Sequence, residues 1–284
     1  MAAEGASRCF PDARVAGVDP YEGVVVGAGP AGRVAASVSG AVVCHRIVRP
    51  GAGRGPTDGA ATPTAAAERT PRDHRQEPTR GPNAMNAQHW DEMYRSRDQV
   101  FSGEPGGVLV TEASGLAPGQ ALDVGCGEGA DARWLARRGW QVTAVDISGV
   151  ALTRAAAAAT DVRGRVSWAR ADLLTTPPPA DAFDLVSVQY FPLKRQPGHA
   201  ALRGLLDAVA PGGTLLFATH ALADLAARQE AGFDPADYYQ PDDIARFLGP
   251  AWDILVNETR PRVSPAPVGT HHAHDSVLRA RRLP

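Results

Sequence analysis

Residues 121–148 read ALDVGCGEGADARWLARRGWQVTAVDIS, and the rest of the chain is best read outward from them. QALDV (120–124) is a short apolar run of strand type, and GCGEG (125–129) is a turn. ADARWLARRG carries apolar Trp134 and Leu135, then Arg137, Arg138 and Gly139, a set of cations and a glycine that suits a helix C-terminus. WQVTAVDIS returns as a second strand and ends on an acid, Asp146. The unit is therefore strand, glycine turn, helix beginning near Glu128, strand, acid. Gly125 and Gly127 allow the backbone to approach a ligand closely. The helix start points free N–H groups at that ligand. Asp146, at the carboxyl end of its strand, is placed to accept both hydroxyls of a ribose. The third glycine is Gly129, so the spacing is G-x-G-x-G with Asp123 before it, where a dinucleotide fold has G-x-G-x-x-G. An acid at 123 disfavours a pyrophosphate and favours an ammonium or sulfonium.

With acid, loop, helix, strand and acid in register, this stretch resembles motifs I and II of the class I S-adenosylmethionine-dependent methyltransferases. The similarity extends over about residues 86–284. It implies an α/β, doubly wound Rossmann-like fold, with a mostly parallel seven-stranded sheet, an antiparallel last strand and helices on both faces. The cofactor implied is S-adenosylmethionine, held by Asp123, Gly125, Gly127, Asp146 and Ile147. RVSWARADLL places Asp172 after a third strand, where the family's acid meets the adenine amino group and the N–H of Leu173 meets the ring. FDLVSVQYF reads as strand four, with Gln189 and Tyr190 at its ligand-facing end. HAALRGLLDAVAPGGTLLFATH reads as helix, Pro-Gly-Gly turn and strand five ending at His220. WDILVNE and HDSVLRARR fit the closing antiparallel hairpin.

The lead-in HWDEMYRSRDQVFSGEPGGVLV resembles the N-terminal helix and lid of a small-molecule branch that includes thiopurine- and tellurite-detoxifying enzymes. Trp90, Tyr94 and Phe101 either cover the methionine end of the cofactor or form the apolar face of a packing helix, since Trp90 and Tyr94 are four apart. Residues after strand five, through Tyr238 and Tyr239, are candidates to shape the acceptor pocket.

Upstream the text changes character. Residues 1–85 hold 12 Gly and 9 Pro, and Pro50–Pro82 has no large apolar residue and no period. Such a segment cannot bury enough surface to offset its ordering entropy. Residues 1–84 are read as a low-complexity, disordered leader, and 85–284 as the methyltransferase domain. Met85 reads as the true start of translation, which would leave the leader outside the native protein. VVVGAGPAG, with Gly27, Gly29 and Gly32, has the spacing of a flavin- or nicotinamide-binding turn. Its possible second strand carries Cys44, His45 and Arg46 where an acid is required, so it is read as a chance glycine-rich stretch.

Methyl transfer from a sulfonium is an in-line displacement, and alignment in a dry pocket can supply most of the rate. A general base is needed only for a nucleophile that carries a proton. Tyr190 and His220, at the carboxyl ends of strands, are the candidates for that role. His271, His272 and His274 alternate faces on a strand and have no cysteine nearby; no metal is expected, and a solvent-exposed hairpin turn is. Cys9, Cys44 and Cys126 form no framework, no run of 18 apolar residues exists, and no signal peptide opens the chain. A cytoplasmic protein without a membrane partner is expected. Gln189-Tyr190-Phe191-Pro192 departs from the Asn/Asp-Pro-Pro-aromatic signature of base-nitrogen methylating enzymes. Residues 85–284 hold 19 basic and 23 acidic side chains, which argues against a nucleic-acid substrate and leaves a small-molecule acceptor. Two alternatives stay open: an oxidoreductase built on the N-terminal GAGPAG, and a non-catalytic S-adenosylmethionine-binding protein. The sequence leaves the oligomeric state open.

Overall fold

The computed structural model describes residues 85–225, 234–263 and 272–284, together with the backbone of 27–28, 33–38 and 41–46. The expected disorder of Pro50–Pro82 falls outside these residues. Strands β1 (Gly27–Ala28), β2 (Arg33–Val38) and β3 (Ala41–Arg46) form a small antiparallel sheet. After Gly32 a nucleotide-binding turn would launch a helix; here the chain continues as strand β2, antiparallel to β1.

From Met85 the order is α1 (Ala87–Arg95), α2 (Gly107–Ala113), β4 (Gln120–Val124), α3 (Ala130–Arg137), β5 (Gln141–Asp146), α4 (Gly149–Ala158), β6 (Val166–Arg170), β7 (Phe183–Gln189), α5 (Ala200–Ala208), β8 (Val209–His220), α6 (Leu222–Leu225), α7 (Pro241–Phe247), β9 (Trp252–Pro261) and β10 (His274–Arg282). The seven strands lie in the order β6-β5-β4-β7-β8-β10-β9. β4 to β8 are parallel, and β10 runs antiparallel between β8 and β9. The expected sheet is thus present, its antiparallel strand inserted one place in from the edge.

The reason for this architecture is visible strand by strand. β4 and β5 are buried along nearly their whole length, as parallel strands covered on both faces must be. One layer packs Leu135, Ala136, Leu152 and Leu109 onto the sheet; the other packs Leu202, Leu205 and Ile244. The alanine run of α4 places Ala151 and Ala155 flush against it, both fully buried. Local signals set the ends. Ser148 caps α4 by accepting from the N–H of Ala151 (3.1 Å), and Asn86 caps α1 by accepting from His89 (3.0 Å). Buried Glu112 of α2 joins Arg260 of β9 (2.7 Å) and Arg279 of β10 (3.1 Å), fastening the closing hairpin to the domain.

Candidate active site

β4 and β5 end side by side, and the strand order reverses between β4 and β7. Open α/β sheets bind ligands at such a switch point, beyond the carboxyl ends of the strands. A cavity of about 320 Å³ lies there, lined by Gly125 after β4, Asp146 and Ile147 at β5, Ala171 to Leu174 after β6, and Tyr190, Phe191, Pro192 and Lys194 after β7. Met85, Asn86, Trp90 and Tyr94 from α1 and its cap close one side, and Tyr238 from the segment after β8 closes another.

The glycine loop is set by backbone conformation. Gly125 has φ of +67°, and a Cβ there would stand 2.6 Å from the Phe191 ring. Gly129 caps α3 at φ +77°, where a Cβ would meet the Trp168 ring at 2.6 Å and Ala155 at 2.9 Å. The helix begins at Ala130 rather than near Glu128, because Gly129 takes the left-handed cap position. Asp146 organises the loop: its carboxylate accepts from the N–H of Gly127 (2.9 Å) and of Ser148 (2.8 Å). Burial pushes its carboxyl above the ordinary range, against the lowering effect of those bonds. Each carboxylate oxygen keeps a lone pair, the donor-acceptor arrangement that two ribose hydroxyls satisfy. Asp172 also lines the cavity, one of its oxygens accepting from the N–H of Leu174 (2.9 Å).

The lead-in segment is held over this site by three carboxylates. Asp91 of α1 accepts from the Ser148 hydroxyl (2.6 Å) and the Val150 N–H (3.2 Å) at the start of α4. Burial alone would raise Asp91; those bonds, with Arg170 and Arg95, outweigh it and hold it below the usual carboxylate range. Glu128 accepts from the N–H groups of Val100 (3.2 Å) and Phe101 (3.1 Å) and pairs with Arg154 (3.0 Å). Asp131 accepts from the Gly106 N–H (2.7 Å), and burial lifts its carboxyl to about 6. So Tyr94, almost fully buried, rests its hydroxyl against Gly127, while Trp90 faces the cavity. The same helix face both packs and covers. Phe101 touches Tyr94 edge-on at 6.2 Å but stays half-exposed and outside the cavity.

Gly125, Asp146, Ile147, Asp172, Leu173, Tyr190 and Trp90 converge on one cavity. Asp123, Gly127, Gln189 and His220 do not line it. Asp123 is almost fully buried beneath the loop, and burial, with Asp131 and Asp146 nearby, raises its carboxyl strongly. It lies beneath the loop without reaching the surface. Gln189 turns back to donate to the Ser187 hydroxyl (3.3 Å). His220 lies under Tyr190, the rings stacked at 4.6 Å. Arg262 donates to His220 Nδ1 (3.0 Å) and pairs with buried Asp275 (2.8 Å). Asp275 in turn accepts from the Tyr190 hydroxyl. Tyr190 sits at φ +56°, and burial raises its phenol further above its ordinary value.

Two expectations need correction. His272 is not part of an exposed turn: it is buried, its ring stacked on His220 at 3.7 Å, because the hairpin folds back over the β8 end. His274 is exposed as expected and His271 lies outside the described residues. Tyr239 is a core residue bonded to His199, and only Tyr238 lines the cavity, since neighbours on an extended segment face opposite ways. Lys194, Asn86 and Phe191 also line the cavity, and no local sequence pattern marks them, because they reach it through loop geometry.

Residues 121–213 match the family model described as a methyltransferase domain. An uncharacterized methyltransferase of Mycobacterium tuberculosis is 40% identical over 98 residues, covering 34% of this chain and 49% of that relative. A ribosomal RNA small subunit methyltransferase C of Alcanivorax borkumensis is 39% identical over 72 residues, covering 22% of each. The chain thus spans half or less of the length of these curated relatives. The fold matches a solved structure from work on converting a disulfide bond into a thioacetal group during echinomycin biosynthesis, with TM-score 0.56 and 24% identity, over 69% of this chain and 91% of that one. Residues 121–213 thus resemble a methyltransferase domain, and the sheet order and glycine loop around them are compatible with that likeness.

Proposed function

We propose that the protein transfers the methyl group of S-adenosylmethionine to a small-molecule acceptor. The observation that carries this reading is the cavity at the switch point, where Gly125, Asp146 and Asp172 face a lid that includes Trp90 and Tyr94. Asp146 would hold the ribose, Ile147 and Leu173 would flank the adenine, and Asp172 would meet its amino group. Gly125 leaves room for the methionine chain. With the cofactor and acceptor bound, the lead-in helix and the aromatic wall would reduce water access, and alignment of the two reactants would supply most of the rate. Phe191 and Trp90 line a partly open cavity with aromatic rings, which suits a compact acceptor better than a polynucleotide.

Tyr190 supports orientation more than proton abstraction: its hydroxyl proton is committed to Asp275, and its phenol resists ionisation. His220 is separated from the cavity by Tyr190, so it acts through that ring's position. Residues 85–284 would form the functional domain. No described helix is long and apolar enough to cross a membrane; we read the protein as cytoplasmic. Incubation with methyl-labelled S-adenosylmethionine and separate pools of small nucleophiles (thiols, thiopurines, phenols, amines, tellurite) and of ribosomal and transfer RNA tests the reading. Label is expected in a small molecule, with S-adenosylhomocysteine released. Label in RNA alone would overturn the acceptor class, and failure to bind the cofactor would overturn the whole reading.

A further inference from the structure

The chain has one lysine among its 29 lysines and arginines, and that lysine, Lys194, lines the cavity. Its neighbour provides the contrast. Arg195 is fully engaged: it pairs with Asp243, donates to the Ala236 carbonyl (3.0 Å) and lies 4.9 Å from the Tyr239 ring centroid. Lys194 has no carboxylate within ion-pair distance among the described residues. Its backbone, meanwhile, is fixed. Lys194 bridges Tyr238 in antiparallel fashion, Tyr239 N–H donates to Leu193 (2.9 Å), and Arg195 N–H donates to Asp237 (2.7 Å). The post-β7 loop and the post-β8 segment are thereby laced into one wall. Among the described residues, that wall carries the only cation lining a cavity whose other formal charges are Asp146 and Asp172.

Resting on the methyltransferase reading, we propose that Lys194 is the specificity-determining residue for the acceptor, and that the acceptor carries a carboxylate. The strand order separates the two ends: the nucleoside groups gather at β5 and β6, whereas Lys194 belongs to the loop after β7, across β4. An ammonium on a flexible four-carbon stem suits a single negative charge. A phosphate dianion would need several donors and would face two carboxylates across the same cavity. Lys194 is exposed, so a neutral acceptor would leave its ammonium to water and gain nothing from it, whereas a carboxylate would pair with it. The carboxylate of the cofactor's methionine is the other source of the same chemistry, and the experiment separates the two.

Because Lys194 is the sole lysine, ε-amine acylation of the full chain, resolved by peptide mass spectrometry, reads that residue alone. The wild type is first saturated with S-adenosylhomocysteine; a wild type that does not bind it counts against the methyltransferase reading itself. In the saturated protein Lys194 is expected to stay reactive. Benzoate and hexanoate are expected to slow acylation several-fold, and benzamide and hexanamide to leave it unchanged. Calorimetry is expected to show carboxylate binding weakened about tenfold in Lys194→Met and retained in Lys194→Arg, with melting temperature as the control for folding. Protection by S-adenosylhomocysteine alone, with Lys194→Met weakening it but not 5′-methylthioadenosine, would assign the lysine to the cofactor and overturn the proposal. Equal behaviour of acids and amides would overturn it too, leaving Lys194 a solvated surface charge.

Discussion

Asp146→Ala separates what the acid does for the loop from what it does for the ligand. In the free protein its carboxylate accepts two N–H groups, at 2.9 and 2.8 Å, from Gly127 and Ser148. Leaving two donors unmet costs about 1–3 kcal/mol each. Relief of a buried charge offsets part of that, since burial raises this carboxyl. A net loss of about 2 kcal/mol follows, or roughly 4–8 °C in melting temperature for a domain of this size. The ligand effect is larger. Two charge-assisted bonds to ribose hydroxyls are together worth about 3 kcal/mol, near a hundredfold in Kd. At a concentration about 100 times the wild-type Kd, S-adenosylhomocysteine adds about 2.7 kcal/mol to the wild type. The variant, now at about its own Kd, gains only about 0.4 kcal/mol. Scanning fluorimetry of the full chain should therefore show a ligand shift of roughly 5–10 °C falling to about 1 °C. An undiminished shift would remove Asp146 from the cofactor site. An unchanged unliganded melting temperature would refute the account of the loop.

Further expectations follow from single contacts. Gly129→Ala forces a left-handed alanine against the Trp168 ring and Ala155, at 2.6 and 2.9 Å, and should cost about 3 kcal/mol in chemical denaturation; a neutral result would mean the α3 start is free to move. Glu112→Ala takes the carboxylate from Arg279 and leaves Arg260 only its pair with Glu258, and should lower stability by about 2–3 kcal/mol, with Glu112→Gln recovering part of it. Asp131 holds its proton to about pH 6, against 3.8 for an ordinary carboxyl. The folded state therefore keeps a proton that the unfolded chain releases. The contribution is complete below about pH 4, is lost as pH rises toward 6 and is level above that, amounting to at most about 3 kcal/mol. Asp131→Asn should flatten that slope in urea titrations between pH 4 and 7; an equal slope in both proteins would place the proton elsewhere.

The sequence by itself determined the sheet and the residues after β4, β5 and β6 that line the cavity. Asp146 and Gly125 are legible because strand, turn and helix are local, and a glycine turn between an apolar strand and an amphipathic helix has few other uses. The same locality explains Asp172 after β6 and the His274–Arg282 strand. What the tertiary structure decided is which residues meet across the sheet. Asp123 sits in the motif yet ends beneath the loop, because strand residues alternate faces and the loop closes over it. His272 looks like a surface histidine until β10 pairs with β8 and stacks it on His220. Asp91, Glu128 and Asp131 look like helix-surface acids, and only folding turns them into fasteners of the lead-in segment. Lys194 is noticeable by count alone; its place in the cavity depends on a bridge to Tyr238, 44 residues on. Local patterns carry dihedral angles and burial periods, whereas contacts between distant loops exist only after loop-closure entropy has been overcome by the packed sheet.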